Sequence, residues 1–161
     1  MLSSCGLQDA FWALCATVEN CNQQVQQMAI DSVEQTLPIW QMVHFSDARI
    51  LEAVQAARNY ASEIITKDQL DKATSHAFAA LESAKHYYNQ ATLPGVNNRE
   101  LEFASAACSI AEAGCGITSY IFEPSERSVA VGLILNLCSD VKSVDPLFEI
   151  KLKEIFLKHL E

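Results

Sequence analysis

The residues best suited to chemistry are His76, Glu82 and His86, which fall within one segment of helical pattern. Glu82 and His86 are four residues apart and share one helix face, and His76 lies about three turns earlier on a similar side. Such a group could bind a metal ion or exchange a proton. A solvated helical pair is the simpler interpretation, because two such ligands without a third make a poor metal site.

Other catalytic patterns are absent from the sequence. There is no Glu-x-x-His pair of the kind that a di-iron bundle needs, no His-Glu-x-x-His, no Gly-x-Ser-x-Gly and no Gly-rich phosphate loop. Cys115 stands between Gly114 and Gly116 inside a helical pattern, where we interpret the glycines as packing positions and the thiol as unreactive. We therefore predict a protein that is not an enzyme, with no catalytic residue, no bound metal and no cofactor.

The six cysteines do not suggest a zinc site or a disulfide framework. They occupy positions 5, 15, 21, 108, 115 and 138, with no Cys-x-x-Cys pair and no short Cys/His cluster. We predict reduced thiols that pack as small apolar groups. A disulfide between distant cysteines stays open.

The elements that position these residues are predicted to be helices throughout. The 161-residue chain is 50% hydrophobic and contains only 5 Gly and 4 Pro, whereas residues that favour helices are abundant. Without a low-complexity tract or a long linker, residues 1–161 are predicted to form one all-α domain, a compact bundle of about six or seven helices.

Caps and apolar periodicity give the predicted boundaries. We expect Pro38 either to kink a helix or to begin a new one, and Ser46 to cap the next helix. Thr66 with Gln69, Asn97 with Glu100, and Asp145 also resemble caps. The predicted helices cover residues 7–19, 22–42, about 47–61, 67–88, 101–121, 129–137 and 147–160. The helix over residues 129–137 should be the most buried one, and Gly132 should mark a close crossing with a neighbouring helix.

The charge restricts the classes of partner. A net charge of −9 argues against nucleic-acid binding, which depends on clustered Lys and Arg, and it suits a basic protein partner. The longest apolar run, residues 129–135, is far shorter than the roughly 18 residues of a membrane span. The first basic side chain is Arg49, so the opening lacks the charged region of a signal peptide. We predict a cytoplasmic protein that binds neither nucleic acid nor membrane.

Three blocks of the sequence resemble a known family. The blocks are AIDSVE (29–34) with LPIW (37–40), DARI (47–50) with EA (52–53) and AARNYA (56–61), and the Ala-rich segments 77–84 and 104–113. An acidic, Ala-containing helix closed by Leu-Pro and followed by an Arg-containing helix resembles the small helical immunity proteins encoded beside bacterial polymorphic toxins, in particular the immunity-five-like group. The resemblance spans about residues 25–115.

This resemblance implies a non-enzymatic protein that binds a cognate toxin in the cytoplasm and blocks its active site or substrate surface. Because interfaces concentrate energy in aromatic side chains and paired charges, partner contacts are expected among acidic residues and one Trp. For Trp40 the alternative is core packing, and for each acid a solvated surface. The candidate contacts are Asp31, Glu34, Trp40, Asp47, Glu52 and Glu63.

Two basic residues of the second block have a structural interpretation. Arg49 and Arg58 are nine residues apart, and we expect them to pair with Asp31 or Glu34 of the neighbouring helix.

Two rival classes of function stay open. The C-terminal amphipathic helix would suit a helical adaptor or a self-associating bundle, and in the second case the chain would form a homo-oligomer. A metal-binding or ligand-binding bundle would use His76, Glu82 and His86.

Overall fold

The computed structural model describes residues 22–160, and the helix predicted over residues 7–19 lies outside them. Every regular element of the described part is helical, which confirms the all-α prediction of about six or seven helices. The α-helices are α1 Asn22–Glu34, α2 Leu37–Val43, α3 Arg49–Ala61, α4 Lys67–Ala91, α5 Asn98–Cys115, α6 Arg127–Val141 and α7 Phe148–Leu160, with a π-helix at Gly116–Tyr120 between α5 and α6.

Helix α5 lies at the centre of the bundle. It packs along α4 on one side and α6 on another, and it also contacts α1, α2 and α3. Its buried positions are mostly Ala, whose small side chains let several neighbours approach closely. The prediction that residues 129–137 form the most buried helix is wrong, because α5 buries a larger part of its length and Val129 is 49% exposed.

Two glycines lie where α5 meets its neighbours. A Cβ atom on Gly114 would be 3.2 Å from Ile50 Cδ1, and one on Gly116 would be 3.1 Å from Leu133 Cδ1. Both were interpreted as packing positions, and these distances confirm it. Gly132, which was expected to mark a close crossing, has open space around an added Cβ, so that prediction is wrong.

The end of α5 widens into the π-helix Gly116–Tyr120. The hydroxyl groups of Thr118 and Ser119 donate to the carbonyl of Cys115, and the Ile121 N–H donates to the Gly116 carbonyl five residues earlier. Such hydroxyl bonds compete with the regular backbone pattern and often accompany a local change of helix. The helix predicted over residues 101–121 therefore has two parts.

The chain breaks after α1 rather than bending at the proline. The Thr36 hydroxyl donates to the Val33 carbonyl at 2.6 Å, and Pro38 occupies the first turn of α2, where its missing N–H has no helical partner to lose. The expected Ser46 cap is wrong. Asp47 Oδ1 accepts the Arg49 N–H at 3.1 Å, so α3 begins two residues later than predicted.

The caps of the two long helices agree with the sequence. Thr66 and Gln69 form both bonds of a capping box at the start of α4, and Asn97 Oδ1 accepts the Glu100 N–H at 2.8 Å at the start of α5. Helix α4 continues to Ala91, three residues beyond its predicted end.

Candidate protein-interaction surfaces

Trp40 lies in the core, where its side chain is 0% exposed. Its Nε1–H donates to the Asp47 carbonyl at 2.9 Å, and its ring stacks on His44 with centroids 4.4 Å apart. The hypothesis that Trp40 anchors a partner is therefore corrected to the alternative of core packing. Its indole surface is enclosed and its N–H has a carbonyl acceptor.

Asp31 and Glu34 share one basic side chain. Arg58 Nη2 donates to Asp31 Oδ1 at 2.7 Å and to Glu34 Oε2 at 2.5 Å. His159 Nε2 lies 2.8 Å from the other oxygen of Asp31. The predicted pairing of Arg58 is confirmed, and it leaves Asp31 largely enclosed, whereas Glu34 is exposed.

The electrostatics of Asp31 follow from this arrangement. Burial raises the pKa of its carboxyl group, but the hydrogen bonds and charges of His159 and Arg58 outweigh that effect, so the pKa lies below its ordinary value. Asp31 therefore stays ionised while it joins three helices. Its role is structural in the described fold.

Arg49 does not reach the acids of α1. It binds the Asp47 carboxylate through two bonds, from Nε at 2.9 Å and from Nη2 at 2.5 Å, and Nη2 also donates to the Ser83 hydroxyl at 3.0 Å. The prediction that Arg49 pairs with Asp31 or Glu34 is thus wrong, because Asp47, two residues away, presents both oxygens to the guanidinium. The hydrogen bond from Arg49 is the main reason that the pKa of Asp47 is lowered.

The three residues with potential metal or acid–base chemistry do not converge. His76 Nδ1 lies 3.5 Å from Glu52 Oε2 of α3, Glu82 pairs with Lys85 at 3.1 Å, and His86 hydrogen-bonds within α4. Within residues 22–160, no three His, Cys, Asp or Glu residues lie close enough together to hold a metal ion.

The described thiols are free and poorly ionised. Burial raises the pKa of Cys115 to about 12 and those of Cys108 and Cys138 to about 11. At neutral pH these groups are thiols rather than nucleophilic thiolates. This supports the interpretation of Cys115 as a packing residue.

An apolar surface lies at the turn between α2 and α3. Phe45 is 90% exposed and Met42 is 70% exposed. Met42 also lines a groove of about 230 Å³, in which Tyr87 Oη donates to Glu100 Oε1 at 3.3 Å. We call this surface the α2–α3 corner; it comprises Phe45 together with the groove residues Met42, Val43, Tyr87, Glu100 and Phe103.

This corner was not among the sites predicted from the sequence. Phe45 stands in a link outside both neighbouring apolar stripes, which was a usable signal, because an aromatic residue there has no helix face to bury it. Tyr87 and Phe103 come from two other helices. Their approach to Met42 depends on tertiary packing.

Glu63 lies at a second surface, where α3 ends. A pocket of about 390 Å³ lies there, which we call the α3-end pocket. Glu63 has a φ of +59°, the only positive φ among the described non-glycine residues. The lining residues are Gln26, Tyr60, Ala61, Glu63, Ile65, Phe122 and Glu123.

The predicted partner contacts thus fall in separate places. Asp31 and Glu34 flank Arg58, Asp47 and Glu52 lie near the start of α3, and Glu63 follows its end. Of the acids, Glu34, Glu52 and Glu63 are exposed.

No helix among residues 22–160 is both long enough and apolar enough to cross a membrane. Helix α4 has sufficient length, but it is rich in charged and polar residues. The apolar α6 has only 15 residues.

Comparison with known proteins gives the chain no relative from which a function could be transferred. No family model, no curated protein and no solved structure matches it.

Proposed function

We propose that this chain is an immunity protein that binds and neutralises a cognate bacterial toxin in the cytoplasm, without catalysing a reaction. The observation that carries the proposal is the exposure of both Phe45 and Met42 at the α2–α3 corner. Phe and Met are enriched at protein interfaces, where aromatic side chains supply much of the binding energy. A side chain as exposed as Phe45 gains little from folding, so its apolar surface remains open to a partner.

The charge of the chain suits a basic toxin. A net charge of −9 would attract a cationic surface and speed the encounter. Glu100 places a carboxylate in the groove of the corner. An apolar centre with acidic surroundings is complementary to the surface of a nuclease, which needs basic residues to hold its substrate.

The test is co-expression with the protein encoded by the adjacent gene, with growth and co-elution as readouts. The expected result is that the neighbour is toxic alone and that this chain restores growth within a stable complex. The double variant Phe45→Ala with Met42→Ala should neither restore growth nor form the complex, and its melting temperature should not be lowered. The matched control is Phe78→Ala with Val129→Ala, which also shortens two exposed apolar side chains. A harmless neighbour that forms no complex would refute the proposal.

A self-associating helical adaptor is the second candidate, and the exposed face of α7 favours it. Ile150 and Leu157 of α7 are about half exposed and seven residues apart, so they lie on one face of the helix, and the exposed Leu147 directly precedes it. Deletion of α7 would not test this function cleanly, because Phe148 and Phe156 are buried in the core. The test is light scattering of the wild type and of a variant with Leu147 and Leu157 replaced by Ser. An oligomeric wild type and a monomeric variant would support self-association, and a monomeric wild type would exclude it.

A further inference from the structure

The α3-end pocket combines aromatic rings with carboxylates. Tyr60 and Phe122 meet with centroids 4.8 Å apart and their rings at 81°, so together they form an aromatic corner of the pocket. Glu63 and Glu123 line the same space. Aromatic rings attract cations through their electron-rich faces, and carboxylates accept hydrogen bonds from ammonium and guanidinium groups. The lining is therefore suited to a positively charged side chain.

The two carboxylates are available for such a contact. Among residues 22–160, neither Glu63 nor Glu123 has a basic side chain within 4.0 Å. Lys67 interacts with Tyr60 and Glu123 through its charge, but its Nζ is bound to Asp71 Oδ1 at 2.7 Å. The pocket thus offers negative charge that the ion pairs among the described residues do not neutralise.

An apolar contact lies beside the pocket. Ile64 is 70% exposed next to Glu63. A fully solvated carboxylate pair would bind a cation weakly, because water screens the attraction. An exposed apolar residue and aromatic walls would help a protein surface to exclude water around the cation and so strengthen the attraction.

We infer that the α3-end pocket receives a lysine or arginine side chain from the surface of the toxin. This inference rests on the proposed function and adds the chemistry of one contact. The pocket follows the π-helix directly through Phe122 and Glu123, and short π-helical insertions are frequent at functional sites. The α2–α3 corner would supply apolar anchoring, and the pocket would recognise the charge.

The first experiment measures the pocket without the toxin. Argininamide is titrated into the full chain while the backbone amide NMR signals are followed. The expected result is saturable shifts centred on residues 63–65 and 122–123. The variant Glu63→Gln with Glu123→Gln should bind argininamide at least about tenfold more weakly, as loss of charge-assisted contacts requires. Shifts centred elsewhere, or an unchanged affinity, would overturn the inference.

A matched control separates recognition from net charge. Glu82→Gln with Glu154→Gln removes the same two charges from exposed positions outside the pocket. This variant should bind argininamide like the wild type. An equal loss of affinity in both variants would show general attraction to an acidic protein and would contradict the inference. Melting curves of the two variants establish that both are folded.

The second experiment identifies the source of the cation. The affinity of the adjacent-gene product is measured for the wild type and both Gln variants, with spermidine as a competing free cation. A weakening confined to the pocket variant supports a toxin side chain. Unchanged toxin affinity, with spermidine still bound in the pocket, overturns that assignment in favour of a small free cation. If the wild type binds no neighbour, the proposed function fails, while the argininamide result still decides the chemistry of the pocket.

Discussion

His159 Nε2 lies 2.8 Å from Asp31 Oδ2 and so connects the last helix of the chain to α1, across 128 residues of sequence. The other oxygen of Asp31 accepts a bond from Arg58 of α3. One carboxylate therefore holds α1, α3 and α7 together. Because only 16% of the Asp31 side chain is exposed, water cannot easily replace either partner.

Replacing Asp31 with Asn should lower the free energy of unfolding by about 2 kcal/mol at pH 6, because the amide is uncharged and keeps only one acceptor oxygen for the two partners, Arg58 and His159. The pKa of Asp31 is below its ordinary value of 3.8. A lowered pKa stabilises the fold above the pKa of the unfolded chain, and this stabilisation disappears as the pH falls through the folded-state pKa. The difference between wild type and variant should therefore persist at pH 5 and shrink below about pH 4.

Urea unfolding from pH 3 to pH 7 measures this dependence. Glu154→Gln is the control, since Glu154 is exposed on α7 and should change stability little at any of these pH values. A stability difference for Asp31→Asn that stays constant down to pH 3 would contradict the role of the ionised carboxylate.

Replacing Arg58 with Ala should lower the melting temperature without changing toxin affinity per folded molecule. The guanidinium binds Asp31 and Glu34 and contacts Gln27 Oε1 at 3.4 Å, so the variant leaves a partly enclosed Asp31 with one partner fewer. We expect a loss of about 1–2 kcal/mol. Lys85→Ala is the control, because its ion pair with Glu82 is well exposed and should contribute little. An unchanged melting temperature with lost binding would reverse this assignment.

The parts of the fold that the sequence predicted are those set by local chemistry. The capping box of Thr66 and Gln69 is formed by residues three apart, and Asn97 caps in the same way. The pairing of Arg58 with α1 was predictable because an arginine and two acids lay on neighbouring amphipathic helices.

Other features depend on contacts that spacing does not show. Arg49 had several acids within plausible reach, and only the start of α3 at Arg49 itself aligns the guanidinium with Asp47. Trp40 was selected as a surface residue because its place in the core depends on how α2 docks. Gly114 and Gly132 both lie in apolar helices, and only the packed structure distinguishes the contact of one from the open space of the other.

The candidate surfaces were less predictable than the helices. Glu63 was selected for its charge, yet its aromatic neighbours Tyr60 and Phe122 are 62 positions apart in the sequence and meet only through the packing of α3 against the end of the π-helix. A positive φ at a Glu also has no local signal, because this position at a helix end usually holds Gly or Asn.

Replacing Gly132 with Ala should stabilise the protein by about 1 kcal/mol. Gly132 lies inside α6, and an added Cβ would meet no atom within 4 Å, so the gain in helix propensity is not opposed by a clash. Gly114→Ala provides the contrast, because its Cβ would be 3.2 Å from Ile50 Cδ1. Thermal unfolding should give Gly132→Ala a higher melting temperature than Gly114→Ala. The opposite order would contradict this prediction, because it would show that Ile50 can move away from the added Cβ without a loss of stability.

Glu63 occupies a position where its residue type is unfavourable to the fold. The Glu63 N–H donates to the Tyr60 carbonyl, and the Ile64 N–H donates to the Asn59 carbonyl, which together form a Schellman motif after α3. This motif places Glu63 at φ +59°, where a Cβ is crowded. Its negative charge also lies at the negative end of the helix dipole.

Replacing Glu63 with Gly should therefore stabilise the protein by about 1 kcal/mol while it weakens argininamide binding, because the carboxylate is lost. Glu63→Ala is the matched control, because it removes the same charge but keeps the Cβ at positive φ. Urea unfolding should show Glu63→Gly to be more stable than Glu63→Ala, and both variants should bind the cation weakly. If Glu63→Gly gains stability and keeps full affinity for argininamide, the carboxylate does not serve the pocket.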